Sequence, residues 1–145
     1  MASFTQAQGA RSASVLSLGT LASGAYITSS AIDLGSAIPL DVTLEVECDP
    51  NGTPTGSRQL ILFAKLSLDN VNFGSGPESG TDVTNEADLH WIGTLACNDT
   101  NAHRKFFSLQ GLPVSRYLKL VVKNEMGVAL SSGSVYRADI TGLST

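Results

Sequence analysis

Apolar residues recur in this chain at every second position, a period that fits a pleated strand and not a helix. Asp41 to Cys48 alternates without a fault and puts Val42, Leu44, Val46 and Cys48 on one face. Leu60, Leu62, Ala64, Leu66 and Leu68 make a second such face, opposite Ile61, Phe63, Lys65 and Ser67. Arg116 to Lys123 turns Leu118, Leu120 and Val122 one way and Lys119 and Lys123 the other. In Ser134–Ile140 the pattern predicts Tyr136, Ala138 and Ile140 as the buried set. Shorter candidates lie at Ser14–Leu18, Ala25–Leu34, Leu89–Leu95 and His103–Leu109, with Gly, Asn, Asp and Pro between them. Strands of this kind without a helical period predict an all-β fold: a single antiparallel β-sandwich or jelly roll of about eight strands.

The 145 residues suit one domain with a core of its own. Residues 1–14 carry no apolar pattern and read as a flexible N-terminal arm, leaving residues 15–145 as the sandwich domain. Only 15% of the chain is charged, against about 25% in an average domain. That fits a surface covered by partners, and it equally fits a Ser/Thr/Gly-rich β protein. The net charge is −4, and the nine Lys and Arg are scattered. Nucleic-acid binding draws on clustered cations, so no direct nucleic-acid contact is expected. No apolar run approaches the roughly 18–20 residues that cross a bilayer, and the start of the chain lacks the apolar core of a secretory signal. No membrane contact is expected either.

One segment interrupts the alternation. After Leu66-Ser67-Leu68 the chain runs through some twenty residues of Gly, Ser, Asn, Asp and Glu before His90-Trp91. A connection that long in a small domain has a function or is mobile. It holds Asp69, Glu78, Asp82, Glu86 and Asp88, yet the offsets are wrong for a calcium loop. His90 and His103 are the only histidines, and no nucleophile motif accompanies them; Gly76-Pro77-Glu78-Ser79-Gly80 misplaces the serine of a nucleophile elbow. No spacing marks a glycosidase pair of carboxylates, and no phosphate loop is present. The chain therefore reads as a non-enzyme without a cofactor or metal. Cys48 and Cys97 are isolated from one another in sequence. They make no zinc site, and whether they pair stays open at this level.

Three runs carry a resemblance. SLDNVNFGSGPESGTDVTNEADLHWIGTL, RKFFSLQGLPVSRYLKLVVKNEMGVAL and SVYRADITG together resemble small virion structural proteins of tailed bacteriophages, over roughly Leu40 to Gly142. The most distinctive pieces are Ser67-Leu68-Asp69, Asn72-Phe73, Gly93-Thr94-Leu95 and Arg116 to Asn124. The resemblance implies a protein made in the host cytoplasm and built into the virion, self-associating, with the major capsid protein or other virion proteins as partners. A capsid decoration (cement) protein is the first placement it implies. A tail- or fibre-associated module touching host glycans through Trp91, Tyr26 or the long loop is the second, and a hydrolase-like sandwich domain is a third reading from another class. The expected contacts are the arm, Ala2 to Ser14, through Phe4, Gln6, Gln8 and Arg11, and the Gly74–Ala87 loop, through Phe73 at its mouth, Glu78, Asp82 and Glu86.

Overall fold

In the computed structural model, residues 3–144 are described. They form two antiparallel sheets packed face to face, with no α-helix among the described residues. The first sheet contains β1 (Phe4–Gln8), β2 (Leu16–Ser17), β5 (Asp41–Pro50), β8 (His103–Ser108) and β10 (Leu130–Ser144). The second contains β3 (Tyr26–Thr28), β4 (Ile32–Asp33), β6 (Gln59–Ser67), β7 (His90–Ala96) and β9 (Tyr117–Glu125). Ten strands stand where about eight were expected, because two edge positions are each divided. β1 and β2 share one edge of β10, and β3 and β4 share one edge of β9. The second division has a local cause. Ser29 N–H donates to Leu120 O, and Ser29 Oγ accepts the Leu120 N–H, so a side chain replaces one rung of the ladder.

In chain order the strand positions pair from the outside inward. The β1/β2 edge pairs with β10, β3/β4 with β9, β5 with β8, and β6 with β7; β10–β5 and β9–β6 complete the two sheets. The core lies between them, with Val42, Leu44, Val46, Leu60, Leu62, Ala64, Leu118, Leu120 and Val122 all buried as the alternation predicted.

Two faces differ from the sequence reading. On β10 Ala138 is buried as expected, but it is Val135 that is fully buried, paired with Val46, while Tyr136 pairs with Glu45 on the outer surface and Ile140 is only partly buried. Pairing partners share a face, so the apolar face of β5 dictates which side Val135 takes. Tyr136 is served outside: its hydroxyl donates to Glu47 at 2.9 Å and the Arg11 guanidinium stacks 3.5 Å over its ring. Leu68 is 87% exposed, because β6 ends at Ser67 and the chain then turns sharply around Asp69.

The N-terminal arm is paired within the chain. β1 runs antiparallel to the end of β10, from Phe4 opposite Ser144 to Gln8 opposite Ile140. Gly9, Ser12 and Val15 continue the contact by donating to Asp139, Arg137 and Val135 carbonyls. A segment with no apolar period is ordered here by backbone hydrogen bonds to an open sheet edge, which the reading as a flexible arm did not foresee. Met1 and Ala2 lie outside the described residues. Among the described residues no helix is long and apolar enough to cross a membrane.

Candidate functional site

The long loop is a strap folded onto the outer face of the second sheet. Asp69 starts it: its carboxylate accepts the Val71 and Asn72 N–H groups at 2.9 and 2.7 Å and the Asn72 side-chain amide at 2.7 Å. Those bonds hold the Asp69 carboxyl well below the usual carboxylate range, the Asn72 N–H first. Farther along, Tyr26 and Gly80 exchange both backbone hydrogen bonds, and Thr28 N–H donates to Ser79 Oγ. Leu89 then inserts beside Tyr26, Phe63 and Val121, and these four make a second small core outside the sandwich proper.

The strap neutralises a row of lysines. Lys65 and Lys119 are directly opposite each other on β6 and β9, and Lys123 follows on the same strand. Like charges so paired are unfavourable. Lys65 Nζ lies 2.7 Å from Glu78, Lys119 sits 4.5 Å over the Phe73 ring, and Lys123 is 2.8 Å from Glu86. Glu86 also accepts the Tyr26 hydroxyl. Burial pushes the Glu78 and Glu86 carboxyls up, but their lysine partners outweigh it and hold both low.

Of the residues expected to meet a partner, Phe73, Glu78 and Glu86 are thus engaged by their own sheet. Arg11 pairs with Glu45 at 2.6 Å as well as stacking on Tyr136. Asp82 is exposed and caps the Thr84 N–H at 2.9 Å. Gln6 and Gln8 lie along β1, the outer strand of its sheet, and Phe4 begins it. The five acids of the strap do not converge, since Asp88 accepts from Ser75 Oγ and each of the others has the separate contact given above. Among the described residues no group of three or more His, Cys, Asp or Glu could hold a metal ion. His90 and His103 lie on β7 and β8, in different sheets, with His103 3.0 Å from Asp99. Tyr26 is buried, whereas Trp91 stands 61% exposed.

The candidate site that emerges is one end of the sandwich. Among the described residues, five large exposed apolar side chains connect there: Phe4, Ile38, Leu40, Val114 and Leu68. Beyond Ile140, which faces Asp41, β10 runs on with only β1 beside it, so its last four residues project as a two-stranded ribbon. The Phe4 ring lies against the Gly142 α-carbon where any Cβ would collide, and Leu40 approaches the same point. Leu40 and Ile38 in turn border an apolar crevice of about 230 Å³ between the sheets, closed on its far side by Leu112, Pro113 and Val114. Val114 continues the surface to Leu68.

Most of these residues escaped the sequence reading because they sit outside every alternating run. A signal was present in Ile38-Pro39-Leu40 and Leu112-Pro113-Val114, where large apolar residues flank prolines in segments too short to be strands. Compared with known proteins, the chain matches no family model and no curated protein sequence.

Proposed function

We propose that this chain is a structural virion protein of a tailed bacteriophage, a capsid decoration protein that docks on the major capsid protein and stabilises the shell. The observation that carries the reading is the apolar end face. Contiguous exposed apolar surface on a small domain marks a protein contact, and an isolated two-stranded ribbon is marginal in water until something packs on it. The end face supplies the apolar anchors. The outer edge of β1, with Gln6 and Gln8, supplies unpaired backbone groups for a neighbouring strand. Asp82 remains a polar contact at the rim.

The strand order supports the same reading. Counted as eight positions, first pairs with eighth, second with seventh, third with sixth and fourth with fifth. We assign this wrap to the jelly roll, an architecture used by viral capsid and lectin domains. A fold alone does not fix a function, which depends on the site it carries. The protein acts without catalysis, metal or cofactor: a chain that binds only the assembled lattice stabilises it by mass action, and symmetric self-association is the expected arrangement. A tail-associated module is the second reading, favoured by Trp91 standing exposed on the edge strand β7.

The deciding experiment measures this chain against the major capsid protein in purified virions. Decoration requires roughly hundreds of copies per particle, and a tail part about a dozen. Added to particles lacking it, the wild-type chain should co-sediment and Val114→Glu or Leu40→Glu should not. Equal binding by both variants would sink the end-face assignment.

A further inference from the structure

Two thiols meet across the sandwich. Cys48 lies on β5 in the first sheet, and Cys97 follows the last residue of β7 in the second. Their sulfurs are 3.6 Å apart, and Cys48 and Cys97 are 2% and 0% exposed. The backbone at both positions is held. Cys48 has ladder partners on either side, Gly133 and His103, and Cys97 N–H donates to Arg58 O at 2.8 Å. Bringing the sulfurs to the roughly 2.05 Å of a disulfide asks for a shift of about 1.5 Å shared between two side chains.

We infer that Cys48 and Cys97 are a covalent modification site, which a small peroxide converts into a disulfide that staples one sheet to the other. The inference is independent of the virion reading. It rests on the position of the two sulfurs, on opposite sheets and shut away from other thiols. Cys48 borders a surface recess of about 340 Å³ with Gly19, Asp49, Ala102 and Gly133, which brings a small oxidant to Cys48, 3.6 Å sulfur to sulfur from Cys97.

The chemistry balances with hydrogen peroxide as the oxidant. The Cys48 S–H···S contact lowers the Cys97 thiol below its ordinary value, while that same contact and burial push Cys48 well above. Cys97 is therefore the first to lose its proton. Its thiolate attacks one peroxide oxygen, the O–O bond breaks, hydroxide leaves, and a sulfenic acid remains. The Cys48 sulfur then displaces hydroxide from that sulfenic acid, and its own proton leaves with the hydroxide as water. In sum, two thiols and one peroxide give one disulfide and two waters.

A bridge between positions 49 residues apart restricts the unfolded chain strongly. It also ties the two sheets together covalently.

The test treats the folded full-length protein with a small excess of hydrogen peroxide and follows intact mass, free thiols after denaturation, and melting temperature. The expected result is a monomer lighter by about 2 Da, the two hydrogens of a new disulfide. Digestion should give one linked peptide pair carrying Cys48 and Cys97. The melting temperature should rise by about 10 °C and fall back on reduction with dithiothreitol. Cys97→Ala should show neither the mass change nor the rise; should that variant fail to fold, the wild-type mass and peptide map decide alone. Retention of both thiols, oxygen added to one sulfur, a bond between chains, or a bond without a rise in melting temperature would each overturn the inference.

Discussion

Lys65 Nζ, on a residue only 5% exposed, lies 2.7 Å from the Glu78 carboxylate and 3.1 Å from Gly76 O. This contact joins a residue in the middle of the second sheet to the centre of the longest loop in the chain. It makes the loop part of the fold.

Glu78→Gln should therefore loosen the strap. Removing the carboxylate leaves the Lys65 ammonium beside a single carbonyl, while the half-exposed Glu78 already shares its charge with water. A loss of about 1 kcal/mol is expected, read from the urea midpoint. A double-mutant cycle with Lys65→Met should return most of it.

Leu89→Ala tests the apolar half of the same anchor. Leu89 is 7% exposed and packs with Tyr26, Phe63 and Val121. Truncation should cost about 2–3 kcal/mol and should open the Gly74–Ala87 segment to limited proteolysis before the sandwich itself unfolds. Cleavage that begins elsewhere would mean that the strap is held by its polar contacts alone.

Gly93→Ala should destabilise the protein although it adds one methyl group. A Cβ on Gly93 would stand 2.3 Å from the Phe107 ring, which reaches from β8 to close the sandwich beside β7. Overpacking of this kind costs about 1–3 kcal/mol, measured by thermal or chemical melting. Phe107→Leu in the same chain should recover part of the loss.

Acid should unfold the protein through its depressed carboxylates. The Arg116 guanidinium holds Asp33 at about 2, and Asp69, Glu78 and Glu86 are also lowered. A carboxyl whose folded pKa lies below its unfolded value, about 4, stabilises the fold above that value and loses the contribution as pH falls through the folded one. Melting temperature should stay level above about pH 5 and drop steadily toward pH 2. Asp33→Asn should remove part of that slope, and an unchanged slope would exclude the Arg116 pair as a contributor.

The two-residue period was enough to place β5, β6 and β9 and to name the inward residues of each, because one buried face forces strict alternation. It did not determine the outward face of β6. Phe63 and Lys65 alternate with Leu62 and Ala64 and read as solvent-facing, yet both are buried under a loop whose own composition is that of a surface. Tyr136 and Val135 illustrate the same limit on β10, where either residue suits a core and only the register against Val46 chose between them. Nor did composition show that residues 4–8 would be a strand, since the bonds that order them come from β10, more than a hundred residues away. The end face depends on the same long-range geometry. Phe4, Leu40 and Val114 are far apart in sequence, and they come together only because the paired strands bring the β1–β10 ribbon and two proline-bearing segments to one end of the sandwich. Local sequence sets the period of a strand, whereas contacts between distant segments decide which of its faces water can still reach.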